Sequence, residues 1–152
     1  TAITLVVTVV LMVLLTLFVN RTRVGKAMRA VSEDQGAAQL MGINIDTSIS
    51  ITFAIGSALA AVAAVLYSST YPLINPYMGS MLGLRAFIAA VIGGIGVIPG
   101  AMIGGFIIGI AEALIKRYIS SAMADAIVFA LLIIVLLVKP SGLLGRNERE
   151  KV

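Results

Sequence analysis

The 152-residue sequence is strongly apolar, with 60% hydrophobic and only 12% charged residues, whereas soluble domains carry roughly 25% charged residues. Its mean hydropathy of +1.10 excludes an ordinary water-soluble domain and predicts an integral membrane protein. The formal net charge is +4, but basic residues that flank apolar spans are what membrane orientation produces. We therefore expect anionic membrane lipids, and no nucleic acid, beside these charges.

The residue types exclude several kinds of chemistry. Cysteine and histidine are absent, so the sequence predicts no disulfide, no thiol chemistry and no metal site. It contains no Gly-x-x-x-x-Gly-Lys phosphate-binding motif, and we predict no catalytic residues. The chain begins at Thr1 with an apolar run and no signal-peptide pattern, and we expect an N-terminal part to be missing.

The first apolar run extends from Ala2 to about Val19 and is just long enough to cross a hydrocarbon core of ~30 Å as a helix. Asn20 and the basic residues Arg21 and Arg23 follow it directly. By the positive-inside rule, this end of the span and the loop after it, Asn20 to Ser48, lie in the cytoplasm.

A second span is predicted from about Ser48 to Tyr71, with the polar run 46–48 as its N-cap. Its far end is expected outside the cytoplasm. The turn-forming residues between positions 72 and 85, which include Pro72 and Asn75-Pro76, predict a loop or a re-entrant segment.

Residues 86–115 are apolar but broken near the middle, and a last apolar run, 126–138, leads to a basic tail around Arg146 that the same rule places in the cytoplasm. A chain that leaves a cytoplasmic loop and returns to the cytoplasm crosses an even number of times, so 86–115 must cross twice or not at all. We favour a hairpin of two short helices of ~13–15 residues, whose freed backbone groups are tolerated only when protein or water surrounds them. The alternative is an ordinary kinked pair of packed helices.

Small residues recur at helical spacing around this break. They predict close helix packing at the centre of the bundle, and possible pathway positions, because small residues four apart let helix backbones approach in lipid. Span two has a similar row at Gly56, Ala60 and Ala64. The residues that carry the prediction in the broken region are Gly93, Gly94, Gly96, Pro99, Gly100, Gly104, Gly105 and Gly109.

The cytoplasmic loop predicts two short helices. The first, about Val24 to Val31, has an apolar face suited to the membrane surface. Ser32 is the predicted N-cap of the second in a capping box with Gln35, and Gly42 is its predicted end.

This second helix displays apolar residues that no membrane covers. We therefore expect it to dock into a groove of a partner protein, and the alternative is a linker helix folded onto its own bundle. The predicted contact consists of Glu33, Asp34, Ala37, Ala38, Leu40, Met41 and Gly42.

Charged residues are rare in the apolar segments. Glu112 is a candidate for a transport pathway, because an acidic residue inside the membrane is by default a candidate functional residue. Lys116 lies four residues later, and we favour a helical ion pair between the two. Arg85 and Asp125 are predicted to be interfacial anchors at span boundaries.

A family resemblance rests on several stretches. Gly36-Ala37-Ala38-x-x-x-Gly42 resembles the Glu-Ala-Ala-x-x-x-Gly loop of ABC-importer permeases, with Gly36 in place of Glu. More of the chain resembles the LivH-type permeases of branched-chain amino acid importers. The stretches are Gly25-Lys26-Ala27-Met28-Arg29-Ala30, Leu40-Met41-Gly42-Ile43-Asn44, Ile74-Asn75-Pro76-Tyr77, Ala86 to Gly96, Ile98 to Gly105, and Lys139 to Arg146.

This resemblance implies an all-α, polytopic transmembrane bundle in a bacterial cytoplasmic (inner) membrane, with short Gly/Pro-broken helices and a cytoplasmic coupling helix. It implies a single permease domain over residues 1–152, as the C-terminal half of a longer permease. It also implies import of leucine, isoleucine, valine or related amino acids by alternating access. The partners would be two ATP-binding subunits, a second permease subunit resembling LivM and a periplasmic amino-acid-binding protein. ATP and Mg²⁺ would be bound by the partner subunits, and no cofactor by this chain.

Two other functions stay open on the sequence. A passive channel would suit Asn75-Pro76 between apolar segments, but a channel does not need an exposed coupling helix. An ion-driven secondary transporter would suit short broken helices, but it requires polar coupling sites at membrane depth, of which few occur besides Glu112.

Overall fold

The structure is a computed structural model that describes residues 1–145. Within this part of the chain all regular secondary structure is helical, which confirms the all-α prediction. The helices are α1 (Ala2–Arg21), α2 (Arg23–Glu33), α3 (Gln35–Leu40), α4 (Ile45–Thr70), α5 (Met78–Gly93), α6 (Ile98–Tyr118) and α7 (Ser121–Val138).

Four of these helices are long and apolar enough to cross a membrane, namely α1, α4, α6 and α7. Helix α5 is also apolar but has only 16 residues, which corresponds to about 24 Å at the rise of an α-helix. The chain is therefore a multi-pass membrane protein, as its composition predicted.

The described residues form two compact units, one from Thr1 to Asn75 and one that begins at Pro76. In the first unit α2 packs on α1 and on α4, and α3 contacts α2 and α4. Gly25 is the tightest point of the α1–α2 elbow, because a Cβ there would lie within 3.0 Å of the Val19 backbone. Val31 of α2 is buried, while its basic residues Lys26 and Arg29 are exposed, as expected for an amphipathic surface helix.

The second unit packs α6 against both α5 and α7. Its core consists of Ile88 and Ile92 of α5, Ile108 of α6 and Val128 of α7. Ile88 and Ile92 are the largest fully buried side chains among the described residues. This three-helix packing fixes the relative positions of the charged and small residues described below.

Several predicted boundaries are wrong. Span two begins at Ile45, and its N-cap is Asn44, whose Oδ1 accepts a hydrogen bond from the Thr47 N–H at 3.3 Å. Ser48 lies inside the helix, so the predicted cap at 46–48 is one turn too late. Asn, Asp and Ser are about equally good N-caps, so residue type alone did not distinguish Asn44 from residues 46–48.

The segment predicted as a loop or re-entrant region up to position 85 is shorter, because α5 begins at Met78. Helix α7 begins at Ser121, five residues before the predicted start of the last span. The broken region 86–115 does contain two helices that meet near Gly94, but α5 and α6 have 16 and 21 residues. Both are longer than predicted, because polar and glycine residues at their outer ends are also helical.

Candidate functional site: the α3 loop and the ends of the α5–α7 unit

Helix α3 begins at Gln35 with Asp34 as its N-cap, and the predicted capping box with Ser32 is wrong. The Asp34 carboxylate oxygen Oδ1 accepts a hydrogen bond from the Ala37 N–H at 3.1 Å, with Asp34 in an extended conformation. Ser32 lies in the last turn of α2, where its hydroxyl donates to the Arg29 carbonyl at 2.7 Å. Ser side chains in helices commonly make this backward bond. Glu33 is the last residue of α2.

The end of α3 lies where the sequence predicted it. Gly42 has a φ of +84°, the left-handed conformation that glycine adopts most easily. The following N–H, that of Ile43, donates to the Ala38 carbonyl at 3.1 Å. The helix has only six residues, rather than the nine or so predicted. Asp34 caps its start and Gly42 ends it.

The apolar residues of α3 do not share one environment. Leu40 and Met41 are 89% and 82% exposed, and Ala37 is exposed beside them. Ala38 is only 3% exposed, so the prediction of Ala38 as a docking anchor is wrong. Its methyl group packs within the first unit, because α3 lies against α2 and α4. The exposed apolar surface at α3 is formed by Ala37, Leu40 and Met41.

The α5–α6 contact is made by small residues. Gly93 faces Gly100, and Gly104 faces the carbonyl of Ala89, so closely that a Cβ on any of these three glycines would clash with main-chain atoms. Gly105 only approaches the Ala89 methyl group, at 4.0 Å from an added Cβ, and Gly109 has open space beside it.

The remaining small residues of the two predicted rows do not take part in this close contact. Pro99 is at the start of α6, where its missing N–H costs no hydrogen bond. Gly96, in the turn before it, has a φ of +89° and open space around it. Gly56 of α4 likewise has nothing near it among the described residues.

A segment that sequence reasoning missed closes the α5–α6 turn. After α7 the chain folds back, and the N–H groups of Leu143 and Leu144 donate to the carbonyls of Ile92 and Gly93 at 2.8 and 3.1 Å. These carbonyls end α5 and have no partner inside the helix. Gly94, with a φ of +107°, packs directly against Gly142. We call this contact the glycine clasp, formed by Ile92–Gly94 and Gly142–Gly145.

Four charged residues meet at another place in the α5–α7 unit. Arg85 of α5 contacts Glu112 of α6 through Nη1 at 3.0 Å and Asp125 of α7 through Nη2 at 2.8 Å. Lys116 donates to the same Glu112 oxygen, Oε1. The favoured Glu112–Lys116 pair is therefore present, but it belongs to a larger group that we call the ionic cluster, Arg85, Glu112, Lys116 and Asp125.

Arg85 was expected at a span boundary, and that expectation is wrong, because Arg85 lies in the middle of α5. Asp125, the other predicted interfacial anchor, lies near the start of α7 and is the partner of Arg85, 40 residues away in sequence. The only available signal for this cluster was the rarity of charge in these segments.

An apolar cavity of about 390 Å³ lies between α5, α7 and the glycine clasp. Its walls include Phe87 and Val91 of α5 and Leu132 and Leu136 of α7. The volume falls within the ~300–1,000 Å³ of typical small-molecule pockets. Across residues 1–145, no group of three or more metal-binding side chains is present.

Comparison with known proteins identifies the family. A family model described as branched-chain amino acid transport system / permease component matches residues 1–136. The high-affinity branched-chain amino acid transport system permease proteins LivH of Escherichia coli (strain K12) and of Salmonella typhimurium are each 56% identical to this chain over 147 residues. The corresponding protein BraD of Pseudomonas aeruginosa is 51% identical over the same length.

These alignments cover 97% of this chain and 48% of each relative, so the chain spans about half the length of the relatives it matches. No solved structure matches the chain. The family model covers most of the helices described above, including α3 and the ionic cluster. The chain belongs to the family of permease components of branched-chain amino acid transport systems.

Proposed function

We propose that this chain is part of the membrane permease subunit of an ATP-driven importer for leucine, isoleucine, valine or related amino acids. The observation that carries the proposal is the 56% identity to LivH over nearly the whole chain. ATP hydrolysis, with Mg²⁺, is assigned to partner subunits. The other proposed partners are a second permease subunit resembling LivM and a periplasmic amino-acid-binding protein.

We further propose that α3 is the helix on which an ATP-binding subunit docks. Leu40 and Met41 are almost fully exposed at the end of a helix whose start is fixed by Asp34 and whose end is fixed by Gly42. Exposed apolar side chains held on a short, capped helix are suited to insertion into a groove. Displacement of α3 by the ATP-binding subunits would then drive alternating access. Glu33 and Asp34 add negative charge beside this surface.

The proposed orientation places the loop around α2 and α3 in the cytoplasm, since Arg21, Arg23, Lys26 and Arg29 cluster there. Four helices follow this loop, and if each crosses the membrane the chain returns to the cytoplasm after α7. The tail with Arg146, Arg149 and Lys151, also predicted to be cytoplasmic, lies outside the described residues. The membrane proposed is the bacterial cytoplasmic membrane, and residues 1–152 are proposed to belong to one permease domain.

A co-purification experiment tests the docking proposal. The permease is expressed with its ATP-binding subunits, and the double variant Leu40→Ser/Met41→Ser is compared with wild type. We expect the variant to insert into the membrane normally and to lose most of the co-purifying ATP-binding subunit, because its two exposed apolar anchors are gone.

The matched control is Leu73→Ser, which makes the same chemical change at a residue that is 90% exposed but lies in the connection after α4. This control should retain the ATP-binding subunit. Equal retention by Leu40→Ser/Met41→Ser and by wild type would refute the assignment of α3 as the docking helix.

A further inference from the structure

The ionic cluster gathers nearly all the charge of the α5–α7 helices at one place. Of the charged residues in these three helices, only Arg117 is outside the cluster. The cluster has two cations, Arg85 and Lys116, and two anions, Glu112 and Asp125, so its formal charge is zero. Each of the three helices contributes at least one member.

Stability alone is a weak reason for such a cluster. Arg85, Asp125 and Lys116 are 31%, 46% and 46% exposed, and ion pairs as exposed as these contribute little to stability because solvent screens the attraction. The unit already has an apolar core and a hydrogen-bonded clasp. A charged cluster on otherwise apolar helices therefore points to a polar solute.

The chemistry of the cluster matches an amino-acid zwitterion. The two Nη atoms of Arg85 contact carboxylates from different helices, and a guanidinium binds carboxylates well in this forked geometry. The Asp125 side chain is 46% exposed, whereas Glu112 is 13% exposed. Asp125 is thus the carboxylate that an incoming solute can reach and replace.

The exchange keeps every charge paired. The solute carboxylate takes the place of Asp125 at Arg85 Nη2, while its ammonium group pairs with the released Asp125 carboxylate. Glu112 stays between Arg85 and Lys116 throughout. An amino acid with a charged side chain would leave one net charge in the cluster, whereas a neutral amino acid leaves none.

The apolar cavity lies along the same two helices that Arg85 and Asp125 connect. Leu132, one of its lining residues, is seven positions after Asp125 on α7, about 10 Å along the helix axis. An amino acid that leaves the ionic cluster along α5 and α7 therefore enters a space suited to a branched aliphatic side chain. The charged site and the apolar cavity thus share α5 and α7 but have no lining residue in common.

We propose that Arg85 and Asp125 bind the α-carboxylate and α-ammonium groups of the transported amino acid, and that the apolar cavity between α5 and α7, called the groove below, accepts its side chain once the amino acid has left them. This inference rests on the proposed function and adds to it the residues that distinguish neutral zwitterions from other solutes. A lipid acyl chain or another helix could occupy the groove in place of the amino acid side chain. The experiment distinguishes these occupants from the amino acid.

The test uses photo-leucine, a diazirine analogue of leucine with both charged groups intact, on the permease assembled with its partner subunits. No binding protein is added, so that its selectivity for amino acids does not affect the labelling. We expect labelling on α5 and α7 near Phe87 and Leu132. Excess leucine should suppress it, whereas 4-methylpentanoate, which lacks the ammonium group, and 3-methylbutylamine, which lacks the carboxylate, should not.

Variants then distinguish binding from structural support. Arg85→Gln and Asp125→Asn should each require about tenfold or more leucine for the same suppression, because each loses a charge-assisted hydrogen bond to the solute. In Asp125→Asn, 4-methylpentanoate should also suppress labelling almost as well as leucine does. Arg85→Lys should recover part of the affinity lost in Arg85→Gln. Arg117→Gln, next to the cluster in sequence, is the control and should behave as wild type.

The outcomes separate the two proposals. Labelling of the groove that leucine does not suppress, labelling elsewhere, or equal suppression in Asp125→Asn and Arg117→Gln would overturn the inference. If Arg85→Gln does not fold, Asp125→Asn decides alone, since Arg85 keeps Glu112 as a partner there. A wild-type assembly that never transports leucine would instead refute the proposed function itself.

Discussion

Replacing Gly104 with Ala tests the close α5–α6 contact quantitatively. A Cβ at Gly104 would lie 2.9 Å from the Gly93 N atom and 3.1 Å from the Ala89 carbonyl carbon, and closer still to the Ala89 oxygen. All three are main-chain atoms of α5, so no side chain can rotate away. Helix α5 must shift by several tenths of an ångström or more, and that shift opens the packed core around Ile88 and Ile92.

Overpacking of this kind costs about 1–3 kcal/mol of unfolding free energy. Gly109→Ala is the matched control on the same helix, because a Cβ there meets nothing within 4 Å. It should leave stability unchanged or raise it by up to about 1 kcal/mol through helix propensity. Thermal unfolding of the purified permease in detergent measures both variants. Equal melting temperatures for Gly104→Ala and Gly109→Ala would refute the close contact.

Three further changes test other parts of the structure. Asp34→Ala should remove the α3 cap and about 1 kcal/mol of local stability, seen as faster amide hydrogen exchange at Ala37, and unchanged exchange there would contradict the cap. Gly142→Ala should loosen the glycine clasp, because Gly142 has a φ of +81° and touches Gly94; proteolysis after α7 should speed up, and an unchanged rate would contradict the clasp. Glu112→Leu should destabilise the unit by about 1 kcal/mol or less in thermal unfolding, because Lys116 is 46% exposed and Arg85 keeps Asp125 as a partner, and a loss above about 3 kcal/mol would show that the cluster is needed for folding.

The sequence predicted the features that depend on local spacing. The lengths of the apolar runs predicted the long helices, and the four-residue spacing of Gly100 and Gly104 predicted a close helix contact, which the structure shows is made with α5. Gly42 was recognised as the end of α3, because one residue type suits a left-handed turn. These features depend on residues that are close in the chain.

The features that sequence reasoning missed depend on residues far apart in the chain. Asp34 and Ser32 are both good caps, and the choice between them depends on where α2 ends against α1 and α4. Ala38 and Leu40 are both apolar, yet only the packing of α3 shows which one is buried. The ionic cluster joins positions 40 residues apart, and helical periodicity gives no information about such pairs.

The proposed docking surface on α3 and the proposed solute site at the ionic cluster lie in different parts of the chain. The first feature belongs to the unit that ends at Asn75 and the second to the unit that begins at Pro76. The proposed partner contacts and the proposed solute contacts are therefore carried by different helices, and each set can be changed by substitution without altering the other.

Uptake of radiolabelled leucine into proteoliposomes tests the central claim most directly. The permease is reconstituted with its partner subunits and supplied with the binding protein outside and ATP inside. We predict leucine accumulation above its outside concentration that requires ATP and is lost in Leu40→Ser/Met41→Ser. Leucine equilibration without ATP, or full ATP-driven accumulation by that variant, would contradict the account.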